Sequence, residues 1–211
     1  MSLTRHTRAH SRRAQDDVIC YALAMLDVIT ETDGNVANYF PALLIRTNGA
    51  IDPMAPLLKM LARSSMYIVE KAATVLAKCL GARADGASPA VAAALSLHLS
   101  TFAAWTVAAL KEVAPSAAAD SSKVAAAMGG LQSLCSSMTG RMAAIEAEAL
   151  QCLVGFVTAS TMSNSSATVQ LLYQTLFSLW SLSYSPEGMR LPTISHNLPQ
   201  SPTISHNLPL V

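Results

Sequence analysis

The chain has 211 residues, 52% of them hydrophobic and 13% charged, enough apolar material for one large domain or two small ones and too much for a chain disordered throughout. A formal net charge of +1 at pH 7 gives the whole chain no bias toward nucleic acid. Aromatic residues are only 5% and much of the apolar content is alanine, which favours helix but buries little area per residue.

Residues 1–14 are of their own kind. Arg5, Arg8, Arg12 and Arg13 provide four of the 14 basic residues before any acidic one occurs, which leaves a mildly acidic body. The composition also suits a mitochondrial transit peptide, but the apolar face such a peptide needs is nearly absent. A disordered basic arm is the expectation, and without interleaved aromatics it has no means of stacking on RNA bases.

From Asp16 to Thr30 the pattern becomes helical. Val18, Ala22, Met25 and Ile29 line one face, Ile19 and Leu26 widen it, and Asp16 and Asp17 suit the positive end of the helix dipole. Thr32-Asp33-Gly34-Asn35 reads as a turn, and residues 36–45 as a short helical piece restricted by Pro41. Asp52-Pro53 combines a capping carboxylate with proline at the first helical position. It starts a helix to Arg63 with Met54, Leu57, Leu58 and Leu61 inward.

After Ser64-Ser65, residues 66–80 place Ile68, Ala72, Val75, Leu76 and Cys79 on one face, and Gly81 stops the helix. Lys71 and Lys78, seven apart, share a face. That face is expected to be solvated, or else to meet an acidic partner. Ser88-Pro89 repeats the cap-plus-proline signal ahead of an alanine-rich helix to Val113, with a possible interruption at Ser100-Thr101. Residues 115–120 link it to a helix from about Ser122 to Ser137, in which Gly129-Gly130 weakens the middle or admits a close neighbour. Thr139-Gly140 is expected to break the chain before a single helix from about Met142 to Thr158.

A Ser/Thr/Asn linker precedes residues 168–186, where Val169, Leu172, Leu176, Leu179 and Ser183 recur at helical spacing with Phe177 and Trp180 beside them. This is expected to be a largely buried inner helix, capped by Ser165 or Ser166 and stopped by Pro186. The tail carries residues 192–199, Pro-Thr-Ile-Ser-His-Asn-Leu-Pro, repeated word for word at residues 202–209. Its prolines exclude a helix. Residues 190–211 are expected to be disordered, and the second reading is a proline-rich ligand segment.

Period-two alternation is nowhere found, so the fold class is all-α, roughly eight helices. Related phrases at residues 73–80, 130–135 and 176–180 recur about every 45 to 55 residues, near the length of a HEAT or armadillo unit. Stacked helix pairs are favoured over a closed four-helix bundle. Residues 15–189 form the expected repeat domain.

Chemistry-bearing motifs are lacking. There is no Gly-x-x-x-x-Gly-Lys-Ser/Thr loop, no Gly-x-Gly-x-x-Gly and no His-Glu-x-x-His. His98 is the one histidine in the body and reads as structural. Glu146 and Glu148 stand two apart and diverge on a helix, which excludes a paired-carboxylate site. Cys20, Cys79, Cys135 and Cys152 are far apart in helical apolar patterns and read as reduced core thiols. Asn164-Ser165-Ser166 fits a glycosylation sequon, which matters only in a secreted protein. The uncharged residues 86–110 are long enough to cross a bilayer, but their Ser, Thr, His and Ala content lacks the density of large apolar residues that a span carries. No catalytic, cofactor-binding or metal-binding residue is expected.

Three segments together resemble the regulatory H subunit of the vacuolar-type proton ATPase. They are Tyr21-Ala22-Leu23-Ala24-Met25-Leu26-Asp27 with residues 36–40; Pro56-Leu57-Leu58-Lys59-Met60-Leu61 leading to Tyr67-Ile68-Val69-Glu70-Lys71-Ala72 and Val75-Leu76-Ala77-Lys78; and Val169-Gln170-Leu171-Leu172-Tyr173-Gln174-Thr175 with Leu179-Trp180-Ser181-Leu182-Ser183-Tyr184. The resemblance covers about residues 17–189 and corresponds to the middle of that family's N-terminal domain.

It implies an armadillo/HEAT-like right-handed superhelix and a non-catalytic regulatory subunit on the cytoplasmic face of vacuolar and other endomembranes, in the cytosol when detached. Its partners would be other subunits of the soluble sector and the peripheral stalk. Family members are longer, so the preceding helices and the C-terminal domain are expected to be missing here. No partner-contacting residue is assigned by the resemblance. The alternatives are an armadillo/HEAT adaptor for another protein and a small membrane protein using residues 86–110. The helix at residues 168–186 is expected to leave Leu172, Leu176, Leu179 and Trp180 partly uncovered, with self-association as the consequence.

Overall fold

The computed structural model describes residues 3–81, 86–112, 122–160 and 166–185. It is the all-α stack of helices that periodicity predicts, repeat-like and superhelical as the family resemblance implies. Among the described residues there are nine α-helices, one 3-10 turn and no strand.

Helix α1 spans Leu3–Thr32. It starts well ahead of Asp16, so the basic segment expected as a disordered arm is helical backbone here. The face it buries is also different from the one expected. Leu23, Asp27 and Thr30 are buried, with Ile19, Cys20 and Leu26 half-buried, while Val18 is 68% exposed and Met25 and Ile29 point outward. The reason is electrostatic. Asp27 faces α4 (Met66–Leu80), where both Lys71 and Lys78 reach it. That pairing sets the rotation of the helix against its own apolar stripe.

A 3-10 turn at Val36–Asn38 leads into α2 (Tyr39–Arg46), with Pro41 in the first turn, where its missing N–H leaves no helical bond unmade. The next turn uses Asn48 and Gly49 in the left-handed region, at φ 48° and 85°, and Ser88 Oγ donates to Asn48 Oδ1 at 2.9 Å. Helix α3 (Met54–Met60) begins as the Asp-Pro signal indicates, because Asp52 Oδ1 accepts from the amides of Met54 and Ala55, both at 3.0 Å. In α4 the predicted face is buried in full: Ile68, Ala72, Val75, Leu76 and Cys79 have almost no exposure.

Helix α5 (Pro89–Lys111) runs without interruption through Ser100-Thr101, since both hydroxyls bond back to carbonyls four residues earlier and leave the backbone ladder intact. Ser88 Oγ accepts from the Val91 amide at its start. The helix is long and apolar enough to cross a membrane. Its second half is instead buried through Phe102, Ala103, Thr106, Val107, Ala109 and Leu110, against α6 (Ser122–Leu134) and α7 (Met138–Glu146). Gly130 explains one contact. A Cβ there would stand 2.9 Å from Cζ of Phe102, while the position of Gly129 is open. The Gly-Gly pair therefore admits an aromatic ring, and only its second residue is needed for that.

The break expected at Thr139-Gly140 lies three residues earlier, at Cys135–Ser137, and Thr139 and Gly140 open α7. Ser137 caps it, its Oγ accepting from the Gly140 amide at 3.0 Å. The single helix expected from Met142 to Thr158 is two, α7 and α8 (Ala149–Ser160). They are separated at Glu148, which adopts φ 65°. The division lets α7 pack on α5 while α8 packs on α9 (Ser166–Ser183), which one straight rod would not do.

The phrases at residues 73–80, 130–135 and 176–180 fall mainly on α4, α6 and α9. These three helices pack in that order, α4 on α6 and α6 on α9. The weak internal similarity thus marks one row of the stack. The 115–120 link, the linker with Ser165, the Pro186 stop and the tail lie outside the described residues.

All four cysteines are free thiols. Burial pushes Cys79 and Cys135 up to about 12 and raises Cys152 as well. Because the thiolate is the reacting species, a disulfide-forming aryl reagent at pH 8 is expected to titrate one thiol quickly, that of half-buried Cys20. The other three should follow only on addition of denaturant. Two or more fast equivalents in the native chain would contradict this packing.

Candidate interaction surfaces

The polar residues singled out from sequence resolve into ties between helices. Lys71 Nζ donates to Asp27 Oδ2 at 2.7 Å, and Lys78 Nζ donates to Asp27 Oδ1 at 3.0 Å and to Thr30 Oγ1 at 3.3 Å. The lysine face expected to be solvated is therefore occupied, and its acidic partner comes from the same chain. Burial alone would raise the Asp27 pKa. The hydrogen bonds and charges of the two lysines outweigh it and hold the carboxyl below its usual range, while Asp27 raises that of Lys71.

His98 has the structural role predicted for it. Its Nε2 lies 2.7 Å from Asp52 Oδ2, joining α5 to the capping residue of α3. Burial works to raise the Asp52 pKa as well, but the amide of Ala55, His98 and the amide of Met54 bring it below the usual value. Glu146 and Glu148 do not share a helix as expected: Glu146 ends α7, while Glu148 lies in the turn before α8 and pairs with Lys111 at 2.8 Å. Among the described residues, no three His, Cys, Asp or Glu side chains converge on a point that would hold a metal ion.

Among the described residues, two surfaces offer room for another molecule. One is a groove of about 330 Å³ between α4 and α6, lined by Glu70, Thr74, Lys78, Ser122, Gly129 and Ser133 among others. Small and hydroxyl-bearing side chains dominate its lining, and periodicity did not indicate it because the lining residues come from helices about 50 residues apart.

The other is the outer face of α9, where the expectation of a buried apolar stripe is corrected. Leu171, Thr175, Ser178, Ser181, Leu182 and Ser185 are the buried positions; Val169, Tyr173, Leu176, Phe177, Trp180 and Tyr184 are exposed, Trp180 by 57%. The helix is turned inside out because α6 and α8 both crowd it, and hydroxyl-bearing residues pack into that space where aromatic rings do not. Thr175 satisfies its hydroxyl on the Leu171 carbonyl at 2.7 Å. Outside, Phe177, Trp180 and Tyr184 form a continuous aromatic row, with ring centroids 5.9 Å and then 5.0 Å apart and the last pair edge to face. The uncovering of Leu176 and Trp180 agrees with the sequence expectation, whereas Leu172 and Leu179 are only half-exposed.

Compared with known families, the chain matches the family model of the V-ATPase H subunit over residues 1–204. No curated protein matches it. The family match extends beyond residues 17–189, which the three resembling segments span, to take in the basic segment and most of the tail.

Proposed function

This chain belongs to the family of the V-ATPase H subunit, and on that premise we propose that it is a regulatory, non-catalytic part of the vacuolar-type proton pump. It would sit peripherally on the cytoplasmic face of endomembranes, contacting the peripheral stalk and the soluble sector. There it would couple ATP hydrolysis to proton transport and restrain hydrolysis when the soluble sector detaches. The family match over nearly the whole chain carries this reading. The surface is consistent with it: a helical stack with a groove and an exposed aromatic face is suited to protein contacts, and its buried charges tie helices together.

The experiment is recovery of tagged chain from vacuolar membranes, after circular dichroism has shown it helical. Co-purification with peripheral-stalk subunits, lost on washing out the soluble sector, is the expected result. A helical chain that recovers none of those subunits would overturn the proposal. The outer face of α9, wherever it is bare, would also drive concentration-dependent self-association, read as a rise in mass by light scattering.

A further inference from the structure

We propose that the proline-rich C-terminal segment folds back and docks, extended, along the aromatic face of α9. Either copy of the repeated phrase, residues 192–199 or 202–209, can occupy it. The inference is independent of membership in the pump. It develops the reading of the tail as a ligand segment and supplies its receptor within the same chain.

The receptor is a row of exposed rings, Tyr173, Phe177, Trp180 and Tyr184, with Leu176 beside them. The whole helix from Ser166 to Ser183 contains no Asp, Glu, Lys or Arg, so no charge on it selects a charged partner. Rows of aromatic rings are the surfaces on which proline-rich segments dock, because pyrrolidine rings pack flat on them and the polyproline conformation is already set before binding.

The ligand matches in chemistry. Residues 191–211 hold Pro192, Pro199, Pro202 and Pro209 with Leu191, Ile194 and Leu198, and no Asp, Glu, Lys or Arg. It also matches in length. Tyr173 and Tyr184 are separated by about 16 Å along the helix axis, and eight residues of polyproline helix cover about 25 Å. The chain leaves α9 at the end where Tyr184 stands, and Pro186-Glu187-Gly188 supplies residues that suit the reversal such docking requires.

A tethered occupant is favoured over a second copy of the chain on grounds of area. The exposed rings and aliphatic groups amount to roughly 600 Å², below the ~800 Å² per partner of a stable interface. A segment joined by six residues acts at high effective concentration and does not lose the freedom of a separate molecule. Two copies ten residues apart double the ways of filling one site.

The test uses Trp180 as reporter. The chain has two tryptophans, so Trp105→Phe leaves Trp180 alone. Acrylamide quenching is compared in three lengths: the full chain, a chain ending at residue 200 with one copy, and a chain ending at residue 190 with none. The first two are expected to be alike. The third should be quenched about twofold more strongly, with red-shifted emission, and a peptide of residues 191–200 added in trans should reverse both changes.

Should the shortest chain lose helix by circular dichroism, a full-length variant with Pro192, Pro199, Pro202 and Pro209 all changed to Gly serves in its place, with the same outcome expected. Equal quenching across all lengths in a monomer would show the face bare and overturn the proposal. So would a full-length dimer whose mass and quenching are unaffected by removing the tail, because a second copy would then be the occupant.

Discussion

Gly140→Ala is expected to destabilise the chain by about 3 kcal/mol or more, lowering its melting temperature by roughly 6–12 °C. Gly140 is buried in the first turn of α7, and a Cβ there would lie 2.1 Å from the Leu134 carbonyl oxygen, 2.8 Å from its carbon and 2.8 Å from Ser137 Oγ. Those atoms belong to the end of α6 and to the cap of α7, so no side-chain rotation relieves the overlap. The turn itself would have to open, and with it the Ser137 cap and the bond from Arg141 Nη1 to the Cys135 carbonyl at 2.9 Å.

Alanine also brings a helix-propensity gain of about 1 kcal/mol, which offsets only part of the cost. Gly129→Ala and Gly155→Ala are the controls, since nothing lies within 4 Å of a Cβ at either position. Both should be neutral or stabilising by up to about 1 kcal/mol. Thermal unfolding of the three variants decides the matter: equal shifts would mean that the α6–α7 turn is not packed as described.

The second large effect belongs to Asp27→Ala, expected to cost about 2 kcal/mol. Removal of the carboxylate leaves Lys71 and Lys78 without the hydrogen-bonded partner they share, with only the more distant charge of Glu70 acting on Lys71. Their side chains keep 27% and 28% exposure against 11% for Asp27, so they recover part of their hydration. The cost then falls short of that for a fully buried pair broken on one side. Lys71→Met or Lys78→Met alone should cost less than Asp27→Ala, since one lysine still neutralises the aspartate.

The pH dependence follows from the same cluster. The folded-state pKa of Asp27 is lowered, and so is that of Asp52. Their stabilisation is therefore complete above the unfolded carboxylate value of about 4 and is lost as pH falls through the lower folded values. For Lys71 the folded pKa is raised, so its part is complete below the unfolded value of about 10.4 and is lost as pH rises through the folded one. Urea unfolding as a function of pH should show a plateau from about 4 to about 8.5, above which the raised thiol values of Cys79, Cys135 and Cys152 already cost stability, with an acid limb that is weaker in Asp27→Ala. An unchanged acid limb together with an unchanged midpoint would remove the cluster from the account of stability.

How far each helix is legible depends on what selects its facing side. In α4 the inward residues are large, aliphatic and regularly spaced, and apolar burial alone decides the orientation. Asp52-Pro53 and Ser88-Pro89 mark helix starts because their hydrogen bonds are local, formed within three residues. The faces of α1 and α9 are misread for a shared reason: periodicity counts apolar residues as inward. In α1 a carboxylate is drawn in by two lysines more than 40 residues away. In α9 two neighbouring helices leave room for Thr175, Ser178 and Leu182 but leave the rings of Trp180 and Tyr184 outside.

Glycine has similar ambiguity. Gly129 and Gly130 are indistinguishable in sequence, and only the position of the Phe102 ring separates them. Nor does sequence show that Gly140 opens a helix it was expected to precede, because the obstacle is the carbonyl of another element.

The all-α class, the capped starts of α3 and α5, the buried face of α4, the repeated phrases on α4, α6 and α9, and the family are all legible in the residues alone. These rest on local hydrogen bonding, on hydrophobic period, or on phrases long enough to be recognised. The faces that α1 and α9 present, the separation of α7 from α8, the convergence of Lys71 and Lys78 on Asp27, and the groove between α4 and α6 emerge from the packed helices. Each of those depends on distances between residues far apart in the chain, where packing space and paired charge override the local pattern.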